Sequence, residues 1–244
     1  QRFPLGAQQA HDPDDRLPRG VRVDDLVDVA PLRGHVGVGQ LVVVLLDELL
    51  AARHRVLGLG KLNRLLFDAL VRLGIRPDGM AGHSLGEFSA MNAGGMLAQA
   101  RVDAIMEALE RDPASMRLPD AIFLMASCGE EAAAASIAGL EDISISHDNC
   151  PHQVILCGRE ASVETARQRL LAANVLTQRL PFSSGFRSPL FAGHMQPYRD
   201  FYAATELHEP AVPLWSATTG KIFPASMQEK KELALAHLVQ PVRF

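Results

Sequence analysis

The sequence predicts an α/β protein in two parts: a larger body built on a short parallel sheet, and a smaller ferredoxin-like βαββαβ unit inserted into it. Two observations carry this. The stretch "GMAGHSLGEFSA" runs a short apolar segment into Gly82-x-Ser84-x-Gly86, the elbow at which a strand turns sharply into a helix and holds a serine out at the turn. Between residues 119 and 182, short apolar runs and helical runs follow in the order strand, helix, strand, strand, helix, strand, which is the order of a ferredoxin-like unit. Helical patterns continue on both sides of that region. The body is therefore expected to comprise 1–118 and 183–244, with 119–182 as the insert.

Taken in chain order, "AHDPDDRLPRG" (10–20) is rich in proline and charge and reads as an exposed loop. Apolar residues recur at helical spacing from Gly39 to Leu50 and again from Leu57 to Leu73. Arg53, Arg55, Lys61, Arg64 and Arg72 accompany the second run, which reads as a helix beside a sheet with a basic, solvated face. "GIRPDGMAGHS" supplies a turn, a short buried strand and the elbow, and helices are predicted over 85–95 and 99–110. Within the insert, "AIFLMAS", "DISISHD", "QVILCG" and "VLTQRLPF" read as strands, and "EEAAAASIAG" and "ASVETARQRLLAAN" as helices. The body resumes with a helix over "SPLFAGHMQPYRDFYAA", a strand and turn in "AVPLWSATTG", and a helix over "MQEKKELALAHLVQ".

Bulk properties exclude several classes of function. The 244 residues are 48% hydrophobic and 21% charged, ordinary for a globular chain. A net charge of −4 argues against a nucleic-acid surface, which needs a clustered basic excess. The most apolar run, "QLVVVLLDELLA", is broken by Asp47 and Glu48 and is shorter than the ~20 residues a bilayer span requires. The start shows no signal-peptide pattern, and three cysteines are an odd count in a chain too large to need disulfide staples. A soluble, cytoplasmic location without membrane contact is expected. His147, His152, Cys150 and Cys157 crowd around "DNCP", but their spacing fits no zinc pattern, so no metal is expected.

At the elbow, Ser84 is the candidate nucleophile. Glycine is required beside it because the turn is strained and a β-carbon is expected to press on the neighbouring strand. Leu85, the first residue of the following helix, can offer its backbone N–H to an oxyanion where the helix dipole also favours negative charge. His83 is adjacent to the serine, and neighbours on an elbow point apart. It is expected as a wall of the site and not as the base.

Five stretches, "GIRPDGMAGHSLGEFSAM", "DNCPHQVILCG", "LPFSSGFRSPLF", "VPLWSATTG" and "HLVQPVRF", together resemble the acyltransferase domain of polyketide and fatty-acid synthases, the malonyl-CoA:acyl-carrier-protein transacylase family. The resemblance covers roughly residues 55 to 244 and places the elbow in a hydrolase-like body. The chain stops at Pro-Val-Arg-Phe, where the family continues, which implies an excised or trimmed domain. The resemblance implies covalent ping-pong chemistry: Ser84 takes an acyl group from acyl-CoA and passes it to the phosphopantetheine thiol of an acyl carrier protein. No cofactor is implied beyond these substrates, and the partners implied are the carrier protein and an adjacent ketosynthase.

Against the family pattern the chain departs at three places. The family's catalytic histidine in Phe-His-Ser-Pro is replaced in Phe186-Arg187-Ser188-Pro189, and an arginine cannot accept a proton near neutrality. The arginine that pairs with a malonyl carboxylate, twenty-five residues after the serine, falls on Leu109, with Arg111 two residues on and about 200° around the helix. The oxyanion glutamine of the family's Phe-Pro-Gly-Gln-Gly motif meets Leu5, with Gln8 and Gln9 close enough to substitute. His83, Leu109, Asn149, Gln153 and Phe186 are the expected substrate-binding positions, turn capping being the plainer role for Asn149 and Gln153. His194 is a distant candidate for the missing base. Two further readings remain at this point: a module that has lost catalysis and serves architecture, and an acyl hydrolase that clears carrier proteins.

Overall fold

A computed structural model of the chain describes residues 55–111 and 118–244. The loop at 10–20, the helical run from Gly39 to Leu50, and Gln8 and Gln9 lie outside the described residues.

The body opens with α1 (Arg55–Arg72). It ends where Gly74 takes φ 80°. Gly74 N–H then donates to Val71 O and Ile75 N–H to Leu70 O, both at 3.0 Å, which satisfies the last carbonyls as a glycine C-cap does. α1 docks on α2 (Leu85–Ala93) through Asn63 to Ser89 at 3.1 Å and Arg64 to Asn92 at 3.2 Å. Arg64 also grips Asp68 and Gln99. Arg64 makes these bonds with its side chain still 41% exposed, and Lys61 and Arg72 are exposed, so the helix presents a basic, largely solvated face.

β1 (Met80–Ala81) runs parallel to β6 (Leu214–Ser216), and β7 (Lys221–Ile222) adds to β6 in the antiparallel sense. Among the described residues the body sheet has the order β1-β6-β7, with β1 and β6 as its parallel pair. α3 (Gln99–Arg111) and α7 (Met227–Ala236) complete it with α6 (Gln196–Ala203). The region predicted as one helix over 188–204 divides into a 3₁₀ segment, Pro189–His194, and α6. Pro197 causes the break. It has no N–H to continue a helical ladder but is tolerated in a first turn. The body core gathers Met91, Met96, Leu97, Tyr202, Leu207 and Leu214, all buried.

The insert comprises β2 (Ile122–Ala126), α4 (Glu130–Ile137), β3 (Ile143–Cys150), β4 (Gln153–Gly158), α5 (Glu160–Ala172) and β5 (Thr177–Ser183). Its sheet has the order β5-β2-β4-β3, all antiparallel. Alternate residues of β2 face opposite ways. Ile122, Leu124 and Ala126 pack under α4 and α5 against Ala133, Val163 and Leu170. Phe123 packs on the other face with Cys157, Leu180 and Leu190. A strand from outside 119–182, which the sequence did not predict, β8 (Val242–Arg243), joins the edge parallel to β3, making the sheet five-stranded.

Candidate active site

The elbow forms where β1 ends. Ser84 has φ 54° and ψ −117°, a left-handed conformation that costs a non-glycine residue roughly 1–3 kcal/mol and persists only where the surroundings impose it. They do so here: Gly86 N–H donates to His83 O at 2.9 Å and Glu87 N–H to Ser84 O at 3.0 Å. A β-carbon on Gly82 would sit 2.0 Å from the carbonyl carbon and oxygen of Gly86. The clash is therefore with the first turn of α2 and not with a neighbouring strand, as had been expected. Gly86 itself has open space around its Cα. Leu85 opens α2, and the amides of a helix's first turn have no acceptor within the helix, which leaves its N–H available beside Ser84.

Beneath the elbow lies a buried polar cluster that sequence reasoning missed in part. Glu87 is fully buried, and its Oε2 accepts the Ala217 N–H at 2.6 Å. Its Oε1 has no hydrogen-bond partner and stands 3.5 Å from Nδ1 of His237. Burial pushes the Glu87 carboxyl up to about 7. His237 is 5% exposed, with Nε2 3.1 Å from the Ser84 carbonyl oxygen and Nδ1 2.7 Å from Thr218 Oγ1. A carbonyl only accepts, so Nε2 carries the proton and Nδ1 accepts from the threonine hydroxyl. Burial first, then the charge of Arg187, pulls His237 down to about 3, and its ring is neutral at physiological pH.

Arg187 belongs to this cluster. It is 5% exposed, with φ 64°, and its backbone N–H donates to Leu238 O at 2.8 Å. Its Nε and Nη1 have no hydrogen-bond partner. Burial lowers the guanidinium to about 10 while the Glu87 charge opposes that shift, so it remains a cation at neutral pH. Among the described residues, no side chain is hydrogen-bonded to the Ser84 hydroxyl.

Three of the expected substrate-binding residues meet at the rim. His83 Nε2 lies 2.7 Å from Asn149 Oδ1, and Asn149 Nδ2 donates to Gln153 Oε1 at 3.0 Å. The His83 ring stacks on His147 with centroids 5.3 Å apart and meets the edge of Phe244 at the same distance. Phe186 turns elsewhere, into a cluster with Phe191 (4.1 Å) and Tyr198 (6.2 Å). His194 stacks on Phe191 at 5.7 Å and belongs to that cluster. Leu109 falls near the end of α3, and its side chain lies outside the described residues. Among the described residues, no group of three or more His, Cys, Asp or Glu is placed to hold a metal.

The missed residues had weak signals. Glu87 follows Ser84 by three positions, the spacing of a capping box, so the carboxylate reads as a helix cap. His237 stands in "HLVQPVRF" but is joined to the elbow only by the fold.

These buried groups set a pH dependence. Burial, more than any charge, pulls His147 and His237 down to about 3, from an ordinary value of 6.5. Between about pH 3 and 6.5 the unfolded chain therefore binds up to two more protons than the native one, and that stability is lost as pH falls through this range. Glu87, raised from 4.5 to about 7, acts oppositely over 4.5–7 by one proton. The net of one proton predicts a fall of about 1.4 kcal/mol per pH unit between pH 6.5 and 4.5. Urea midpoints across that range check it. A flat profile would mean that at least one of the histidines is not buried as neutral imidazole.

Residues 14–244 match the family model described as "Acyl transferase domain". The chain is 32% identical over 162 residues to the phenolphthiocerol synthesis polyketide synthase type I Pks15/1 of Mycobacterium marinum, covering 66% of this chain and 8% of that protein. It is 29% identical over 181 residues to the spectinabilin polyketide synthase system protein NorB of Streptomyces orinoci, covering 73% of this chain and 8% of that protein. The chain thus spans less than a tenth of the length of these relatives. Among solved structures, the acyltransferase domain from the second module of the salinomycin polyketide synthase superposes with a TM-score of 0.72 at 28% identity, covering 81% of this chain and 46% of that one. The family match begins at residue 14, well before the position near 55 that the motifs alone suggested.

Proposed function

The chain belongs to the acyl transferase domain family, and from that premise we propose that it moves an acyl group from acyl-CoA, through an ester on Ser84, to the phosphopantetheine thiol of an acyl carrier protein within a polyketide or fatty-acid synthase. The carrier protein and an adjacent ketosynthase are its partners in this reading. The observation that carries it is the strained elbow: Ser84 at φ 54° at the start of α2, within Gly82-x-Ser84-x-Gly86, the turn that holds a serine hydroxyl out. The Ser84 oxygen attacks the thioester carbon, and the Leu85 N–H, aided by the helix dipole, faces the developing oxyanion. His83, Asn149 and Gln153 line the rim on the insert's side.

The acyl group is malonyl or an uncharged starter. A malonyl carboxylate without a counter-charge would lose several kcal/mol on burial, and Leu109 offers none. Arg187, with two unpartnered nitrogens, is the candidate cation. Malonyl-CoA and acetyl-CoA, each incubated with the protein and followed by intact-mass measurement, are expected to leave one acyl group on Ser84, with the preferred donor identifying Arg187's role.

A second reading rests on Arg187 alone. A buried cation at the family's histidine position fits a module that has lost catalysis and is retained for architecture. An adduct in Arg187→His and none in the natural chain would select it.

A further inference from the structure

We propose that His237 is the general base for Ser84, taking the part that Arg187 cannot; this rests on the acyltransferase reading above. The imidazole touches the nucleophile's own residue, with Nε2 3.1 Å from the Ser84 carbonyl oxygen. Its other nitrogen is anchored 2.7 Å from Thr218 Oγ1 and faces Glu87 Oε1 at 3.5 Å. Ser84, His237 and the buried carboxylate of Glu87 are therefore neighbours in space, joined to the serine through its main-chain carbonyl, on a different part of the chain from the family's histidine.

Two features allow the ring to serve. The Ser84 carbonyl also accepts the Glu87 N–H at 3.0 Å, so it stays satisfied when the imidazole lets go and turns to Oγ of the same residue. Glu87 Oε1 has no hydrogen-bond partner and is free to accept from Nδ1–H in the other neutral tautomer, reached when Nε2 gives its proton to solvent and Nδ1 takes one up. In that tautomer the Nε2 lone pair is the acceptor for the hydroxyl. In the reaction the Ser84 O–H proton passes to Nε2 as Oγ bonds to the thioester carbon. The C–S bond then breaks, and the departing CoA sulfur takes the proton back from Nε2, leaving the acyl ester on Ser84 and a neutral ring. Burial first, and the charge of Arg187 second, keep the imidazole neutral between turnovers.

The test is the rate of acyl-adduct formation by rapid-quench intact mass, using acetyl-CoA and malonyl-CoA, with folding checked by thermal melting. His237→Gln is expected to lose about 100-fold or more, the usual worth of a positioned base. Arg187→His combined with His237→Gln is expected to recover to within about tenfold of the natural chain, because the base then stands at the family's position. A folded His237→Gln protein that acylates within about threefold of the natural chain overturns the proposal, and so does a folded double variant with no recovery. Should His237→Gln not fold, Thr218→Val reads the same point. Loss of the Nδ1 anchor is expected to slow acylation by about tenfold, and an unchanged rate overturns the proposal. No adduct in the natural chain from either donor would defeat the acyltransferase reading itself, whereas an adduct that survives His237→Gln defeats only the base.

Discussion

Replacing Ser84 with alanine is expected to abolish the acyl adduct with every acyl-CoA tested and to lower transfer to a carrier protein by at least about 10³-fold, since removing a serine nucleophile costs several orders of magnitude. Stability should move the other way. Alanine at 84 keeps a β-carbon at φ 54°, so the strain stays, but no polar oxygen is held at the turn, and the melting temperature should hold or rise slightly. The pairing of the two results matters. A Ser84→Ala protein that still accumulates acyl groups would mean that label is carried by another side chain, for which the exposed thiol of Cys150 is the first to examine by peptide mapping.

The second large effect is on folding. Glu87→Ala is expected to cost about 3–5 kcal/mol of unfolding free energy in chemical denaturation, the range seen when one member of a buried charged arrangement is removed. Two groups lose their complement at once: the Ala217 N–H, bonded to Oε2 at 2.6 Å, and the Arg187 guanidinium, already short of hydrogen-bond partners at Nε and Nη1. Glu87→Gln retains an acceptor for the amide and should cost only about 1–2 kcal/mol. If the alanine variant costs less than the glutamine one, water has entered the site and Arg187 is solvated there. That would also remove the cause given for its lowered proton affinity.

Much of this arrangement is legible in the sequence. The four strands and two helices of the insert were readable because each is long enough to show its own periodicity, and because β2 alternates between two apolar faces. β7 and β8 were not. A two-residue strand has no period, and Val242–Arg243 is a strand only because β3 offers it an edge. The division of the 188–204 helix was written in Pro197, but a proline is equally at home at a helix start, and only the packing decides which helix it starts. At the site, the motif around Ser84 and the exchange at Arg187 could be read directly. The partnership of Glu87 and His237 could not, because their positions are 150 apart in the chain and each has a plainer local explanation.

The last turn of the chain also has a mechanical meaning. Arg243 N–H donates to Ala217 O at 2.6 Å and Phe244 N–H to Asp148 O at 3.0 Å, while the Phe244 ring rests its edge on His83. Consecutive residues thus clasp the turn after β6 on one side and the insert's edge strand on the other, directly over the wall of the nucleophile. Any separation of the insert's edge strand from the turn after β6 must first release this clasp. Amide-proton exchange at Arg243 and Phe244 is therefore where such breathing registers earliest, ahead of any residue that touches the acyl chain.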